Sequence, residues 1–550
     1  MLQGVMRAAA WAGLMDSLAR PYEVMVPGAN QKPTKAVVFL PHENLEKLVR
    51  DSYLSAWCLS PEQVGAPTGL GPLLRRWNNH ADVGGRHQLE QVMGIGWHCD
   101  GVQYSSSSRA GDVRSVLVSS FNVITAQTVS DRASRILFFV IGKKRLCDCG
   151  CNGYHTFQAL FRVFAWSMDC LNRGESPNCR HDGSPWTASD LKNRLAGGAP
   201  LPAAGVLQIR GDWQWLADGF RFPTWSSESF CWLCRATKHG ELSYMDFTPG
   251  AAHRQTLRTH EDYMLGCARI GSQPSTMFLC PGVTLDMIAI DSMHAGDLGQ
   301  FQSALGSLFW LHVTCKAFFR TKKEGLDHLN AELASYYAAN RGERLAQLGQ
   351  LTMSQIRSND PRHPSLKAKA AQTRRVVRFA VLLARRHEHG DHQRGPFRFA
   401  AASRLTPHVV EHRRVCRELF EGLQDYHDSC KFVPFDAQRC KDGMYRFLQS
   451  LRRLHEIWRD GVDPDIASRM PFAILPKSHL LHHLVEDQLP LWGSPSTFWC
   501  YGDEDFVGTI KKAAMGSKHP GPMELRVSEK CMIRAGCHRL EMAAGVADGQ

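Results

Sequence analysis

The sequence predicts an α/β protein: a core built on a mixed five-stranded sheet with flanking helices, interrupted by a large, mostly helical insertion. Three observations predict it. Apolar, strand-forming runs cluster between residues 92 and 212. A stretch at helical spacing sits between the third and fourth of these runs. From 318 to 470 strand signals give way to helix formers rich in Arg, Lys and His.

Taken in order, residues 1–90 read as helical and loop segments without a strong motif. "VMGIGWHCDGV" (92–102) is a strand running into Asp100 and Gly101, and "RSVLVSSFNVI" (114–124) and "RILFFVIG" (135–142) are the next two. "GYHTFQALFRVFAWSMDCLN" (153–172) carries its apolar residues at helical spacing. After the loop "AGGAPLPAAG" (196–205), "VLQIRGD" (206–212) is the fourth strand. "VTLDMIAI" (283–290) reads as a fifth, with a helix after a short turn in "DSMHAGDLGQFQSALGSLFWLHV". "LKAKAAQTRRVVRFAVLLARRHEH" (366–389) is a basic amphipathic helix that could track phosphates, although a solvated charged face is the commoner meaning of such a run. "LPKSHLLHHLVEDQLP" leads to "FWCYGDEDFVGTIKKAAM" (498–515), with Glu504 at the start of the final helix. The expected organisation is an N-terminal region (1–90), the first part of the core with a Cys-x-x-C insert (91–317), a helical insertion (318–470), the completion of the core (471–530) and a tail with a frayed end (531–550).

A chain of 550 residues has room for two to four domains of ordinary size. Its 43% hydrophobic and 9% aromatic content is that of a globular protein. The excess of 65 Lys and Arg over 53 Asp and Glu, +12, leans toward a polyanionic partner. No apolar run reaches 18 residues, so no transmembrane helix is expected, and the N-terminus lacks the marks of a secretory signal. Eighteen scattered cysteines read as reduced intracellular thiols rather than a disulfide framework.

Three strands, a helix and a strand, with acids at the ends of the first and fourth strands, is the pattern of a ribonuclease-H-like fold. There the two acid-bearing strands lie side by side, which would bring Asp100 and Asp212 together across 112 residues of chain. Glu504 from a later helix would complete a cage of hard oxygen donors, suited to two Mg²⁺ or Mn²⁺ ions. Each acid also has an ordinary reading: Asp-Gly and Gly-Asp are turn formers, and an acid at a helix N-terminus is favoured by the macrodipole.

Five stretches, "HCDGVQY" (98–104), "GDWQWL…CWLC" (211–234), "IDSMHAGDLG" (290–299), "LPKSHLLHHLVED" (475–487) and "YGDEDFVGTIKK" (501–512), resemble successive motifs of the CACTA (En/Spm) and Plavaka-type transposases, and stand in that order. The resemblance covers residues 92 to 515. It implies that Asp100, Asp212 and Glu504 form a DDE catalytic triad for DNA cleavage and strand transfer, with Asp503 and Asp505 as adjacent alternatives for the third acid. It implies an Asp-x-x-His pair, Asp291 and His294, and a supporting segment with Lys477, His479 and His483. Expected partners are double-stranded DNA, as element ends and target, and further copies of the chain; the expected compartment is the nucleus, with no membrane. Residues 1–90 show no evident DNA reader, which keeps open a truncated or domesticated, inactive DNA- or protein-binding factor. A host nuclease of the same fold is a third class.

Within this family context Cys231 and Cys234 supply half of a structural zinc site, since such sites take four ligands. His294 is the expected third, with Asp291, His239 or Cys267 for the fourth. Core thiols near Trp232 are the alternative. His479 and His483, at i and i+4, have metal-binding spacing but are read as a packed helix positioning Glu504. "CDCGC" (147–151) with His155 is tighter than usual zinc knuckles, and a turn or packing stands ahead of ligation there.

Overall fold

The computed structural model describes residues 18–51, 54–105, 114–126, 135–314, 319–341, 346–357, 363–389, 407–431, 434–460, 470–516 and 523–543. The chain divides into two compact units. The first holds residues up to 224, 258–289 and 500 onward; the second holds 225–257 and 290–499. Of the expected tail (531–550), residues 531–543 are helical and 544–550, with the expected frayed end, lie outside the described residues.

The first unit carries one six-stranded mixed sheet. Its edge is a hairpin, β1 (Tyr22–Pro27) and β2 (Pro33–Val38). Helices α1 (Pro41–Arg50) and α2 (Leu70–Asn78) follow. The sheet continues with β3 (Val92–Ser105), β4 (Arg114–Val123) and β5 (Arg135–Gly142), an antiparallel meander. Helix α3 (Tyr154–Arg173) then leads to β6 (Ala203–Arg210), which pairs parallel to β3. The strand order is β1-β2-β5-β4-β3-β6. Helix α4 (Trp213–Phe220) starts just after β6, and α5 (His260–Arg269) lies further on.

Three sequence expectations are corrected here. The sheet has six strands rather than five, because residues 22–38, read as helix and loop, form a hairpin. Its first strand has strict period-2 burial, with Tyr22, Val24 and Val26 inside. Residues 283–290 are not a strand: Leu285–Met287 turn as a 3₁₀ helix, and only Ile288 bridges, in parallel, to Ile209. Asp100-Gly101 is not a turn either, since β3 runs through it to Ser105 with Asp100 opposite Val118.

Alternation along β3 decides what each face meets. Trp97 points to the α3 side and packs against Phe161 and Phe164, with ring centroids 5.4 and 6.2 Å away. His98 and Asp100 point to the opposite face. On β6, Gly205 leaves room for Trp77 of α2: a Cβ there would stand 2.3 Å from the indole.

Among its described residues the second unit is mostly helical, with an irregular 225–257 segment. A π-helical stretch, Met293–Gln300, runs into α6 (Phe301–Thr314). Helices α7 (Lys322–Ala339), α8 (Ala370–His389), α9 (Pro407–Ser429), α10 (Ala437–Arg459) and α11 (Pro476–His483) follow. Phe301, Leu419, Phe420, Leu423, Phe447 and Leu451 are fully buried in it, the apolar stripes of amphipathic helices turned inward. The chain then returns to the first unit as α12 (Tyr501–Met515) and α13 (Met523–Ala543). α12 is therefore not the final helix. Among the described residues no helix is long and apolar enough to cross a membrane.

Candidate functional site

The parallel register of β3 and β6 matches Trp97 with Ile209 and His98 with Arg210. Asp100 and Asp212 each stand two residues beyond that last matched pair. Gly211 keeps the two chains level past the end of β6, where a Cβ on it would lie 3.2 Å from the Cys99 carbonyl oxygen. Two partly exposed carboxylates thus sit on neighbouring strands, Asp100 within β3 and Asp212 just past the end of β6. Both act on Cys99, whose thiol is pushed far up by burial first and then by Asp100 and Asp212.

Asp212 is also the N-cap of α4, with Oδ1 accepting from the Trp215 amide at 2.6 Å. The cap fixes the carboxylate rotamer and uses one of its two oxygens. Lys143, just past β5, lies over Gly101, its Nζ 2.6 Å from where a Cβ would sit.

Glu504 lies in the first turn of α12, half-exposed, with its backbone N–H donating to Cys500 O at 2.8 Å. Its neighbour Asp503 is fully buried and serves another purpose. Arg135 of β5 donates to it from Nε and Nη2 at 3.0 and 2.9 Å, and Arg210 of β6 from Nε and Nη2 at 2.9 and 3.1 Å. Burial alone would raise its pKa, but Arg210, His98 and Arg135 outweigh that and hold the carboxyl well below the usual range. The clamp seats α12 on the sheet face that carries His98 and Asp100. His98, Cys500 and Asp503 gather their ligand atoms within 4.8 Å. A divalent cation there would face two guanidinium ions already bonded to its carboxylate, so the group is an ion pair rather than a metal site. Of the three adjacent acids, Asp503 is engaged in structure, Asp505 is exposed, and Glu504 keeps the intermediate position.

Asp100, Asp212 and Glu504 are absent from the described groups whose ligand atoms all close to 4.8 Å. Two ions held about 4 Å apart need carboxylates spread across both rather than converging on one point.

In the second unit, Cys231, Cys234, His479 and His483 converge, all four fully buried. Cys234 Sγ lies 3.2 Å from His479 Nε2 and 3.3 Å from His483 Nε2. Cys231 Sγ lies 3.6 Å from His483 Nε2, and the two Nε2 atoms are 3.1 Å apart. Tetrahedral zinc with bonds of about 2.0–2.3 Å sets ligand–ligand spacings of about 3.3–3.8 Å. The set therefore closes around a Cys₂His₂ zinc ion with little adjustment.

The surroundings suit it. The Leu233 and Ala236 amides each donate to a ligand sulfur at 3.3 Å. His483 Nδ1 is 2.5 Å from Asp487, which Arg254 holds at 2.7 Å. That carboxylate fixes the tautomer that leaves Nε2 for a metal. Burial lowers His479 to about 4, and the hydrogen bond from Cys231, then His479 and His483, hold the Cys234 thiol far below its ordinary value. The other two ligands are shifted the opposite way, Cys231 far up by burial and His483, against the downward pull of its burial, up by its bonds to Asp487 and Cys234, so a metal would take protons from these two on binding.

This corrects the expected zinc set. His294 is not in it; its Nδ1 sits 2.5 Å from Asp291, whose carboxylate also accepts from the Met293 and His294 amides. Nor are Asp291, His239 or Cys267 the fourth ligand. Lys477 donates to the His294 carbonyl at 2.8 Å, and its stem packs on Gly299. Asp291, His294 and Lys477 therefore come together as a capping and bracing group, while His479 and His483 serve the thiols. The i, i+4 spacing of the two histidines was the available signal.

The basic helix α8 spends its charge locally. Arg378 pairs with Asp428, Arg385 with Glu421 and Arg386 with Glu332, while Arg374 stacks over Trp499 at 4.4 Å. No protein-family model matches the chain, and no curated protein matches it.

Proposed function

We propose that this chain is a DDE-type, transposase-like protein of the CACTA and Plavaka kind, built on a ribonuclease-H-like core, that cuts double-stranded DNA and joins the ends to a target. The observation that carries the reading is the parallel pairing of β3 and β6, with Asp100 within β3 and Asp212 just past β6 each two residues beyond the last matched pair. The order β5-β4-β3-β6, a meander with a fourth strand parallel to its first, supports the core assignment.

Asp100 and Asp212 would hold the metal ions, and Glu504 would complete the set. Bound Mg²⁺ or Mn²⁺ supplies a lowered water pKa and a counter-charge for the leaving oxygen. The chain's own part is positioning. The Trp215 amide fixes Asp212, and the Asp503 clamp holds the turn that carries Glu504. The expected setting is the nucleus, on element ends and target DNA, in an assembly of copies able to hold two ends.

A second reading is a domesticated factor that keeps the fold and binds DNA or protein without cutting. Mn²⁺ titration calorimetry on the native chain and on Asp212→Asn separates the two. Heat that disappears in the variant supports catalysis. No heat from folded native chain, with or without duplex DNA, removes the transposase reading. Cleavage of DNA without any preference for element ends would instead indicate a host nuclease.

A further inference from the structure

We propose that Cys147, Cys149, Cys151 and His155 hold a second zinc ion, in a Cys₃His set that fastens the loop between β5 and α3. The site stands independently of the activity proposed above. All four ligand atoms lie within 4.8 Å of one another. Cys147 Sγ is 3.4 Å from Cys149 Sγ and 3.6 Å from His155 Nδ1, and Cys149 Sγ is 3.3 Å from the same nitrogen. Tetrahedral zinc with Zn–S of about 2.3 Å and Zn–N of about 2.0 Å calls for about 3.8 Å between sulfurs and about 3.5 Å from sulfur to nitrogen. The observed spacings need shifts of a few tenths of an ångström.

Thiols this close in sequence converge only if the backbone turns back on itself between them. Gly150, with φ +88, supplies that reversal between Cys149 and Cys151. Asn152 (φ 52) and Gly153 (φ 83) extend the left-handed path into the first turn of α3, where His155 follows. The loop is also anchored by bonds that involve no ligand atom. The Asn30 amide donates to Asp148 Oδ1 at 2.9 Å, the Cys147 amide to Thr156 Oγ1 at 2.9 Å, and Thr156 Oγ1 to Pro27 O at 2.6 Å. Gly28 bridges Leu146. A preformed frame of this kind lowers the ordering cost of binding.

Softness selects the metal. Three thiolates and an imidazole suit zinc and disfavour magnesium or manganese, which take oxygen donors. With four protein ligands the site is closed and therefore structural. It fastens the segment that begins with Lys143, Lys144 and Arg145. Lys143 at the start of that segment lies over Gly101, next to Asp100, so the fastened segment borders one of the two acids.

Zinc content of the purified full chain, measured by plasma mass spectrometry under reducing conditions, tests this. About two equivalents are expected for the native chain, and about one for Cys149→Ser and for Cys234→Ser alike. Cys149 is exposed, so its serine variant should fold, and circular dichroism checks that it does. A folded Cys149→Ser that keeps the zinc content of the native chain overturns the proposal, and so does one equivalent in the native chain that is lost in Cys234→Ser. Cobalt loading of the native chain gives a reading independent of any variant. Sulfur-to-cobalt charge transfer equal to five thiolates supports two sites, and intensity equal to the two thiolates of Cys231 and Cys234 overturns the second.

Discussion

Replacing Asp503 by Asn tests how α12 is held. The carboxylate receives four hydrogen bonds from Arg135 and Arg210, all between 2.9 and 3.1 Å. The three side chains are 1–5% exposed. Asparagine keeps the shape and one acceptor oxygen but removes the charge, leaving two buried guanidinium groups uncompensated. Removing one partner of a buried pair costs about 3–5 kcal/mol. Gln208 and Asn122, which also accept from Arg210, place the expected loss toward the lower end, about 3 kcal/mol. The assay is urea unfolding followed by tryptophan fluorescence, with hydrogen exchange read across 501–515. Exchange should rise first in the opening turn of α12. A loss below about 1 kcal/mol, with unchanged exchange, would refute the clamp. The apolar replacement Arg135→Met, Arg210→Leu, Asp503→Leu should recover much of the loss, because it leaves no orphaned charge. The acid sign is fixed as well. Asp503 has a depressed folded pKa. Its contribution is complete above the unfolded value of about 3.9 and disappears as pH falls toward the folded one, so the unfolding midpoints of the native chain and of Asp503→Asn should converge in acid.

Asp212→Asn should change stability by only a few tenths of a kcal/mol, since Asn caps as well as Asp, whereas Asp212→Ala should cost about 1 kcal/mol; both should lose Mn²⁺ binding, and thermal melts with calorimetry check the split. Asp487→Asn should weaken zinc affinity by about 10–100-fold by freeing the His483 ring, read by competition with a chromophoric chelator. Gly205→Ala would drive a methyl to 2.3 Å from the Trp77 indole and should destabilise by about 1–3 kcal/mol in chemical denaturation.

The central sheet was legible because its strands are local signals. β3, β4, β5 and β6 are continuous apolar runs, almost wholly buried where they cross the core, and α3 between them has an apolar face at helical spacing. The hairpin β1–β2 was missed although Tyr22, Val24 and Val26 alternate with Glu23 and Met25, because six residues of period 2 are a faint signal in a stretch read as helical. Residues 283–290 are apolar for a different reason: Leu285 and Met287 are buried by packing, and only Ile288 bridges to the sheet. At the sites, Asp100 and Asp212 stand out because apolar runs give way to polar residues there, although β3 itself continues to Ser105, while the capping role of Asp212 depends on a helix that begins one residue later. The candidate zinc ligands divide the same way. Cys231 and Cys234 are a local motif; their partners His479 and His483 are brought to them only by the fold. In "CDCGC" the missing element was backbone handedness at Gly150, which spacing alone does not reveal.

Cys234 and His479 are 245 residues apart in the chain. Closing a flexible loop of that length costs about 5 kcal/mol in chain entropy by the (3/2)RT ln n estimate. Zinc binding to such sets contributes about 10–16 kcal/mol, so the clasp can hold once it is made. It cannot be made early. At about 5–20 residues per second on the ribosome, the histidines emerge about 10–50 s after the cysteines. Through that interval Cys231 and Cys234 are a half-filled dithiol, open to oxidation or to the wrong metal, and α11 is the last part needed to close the site.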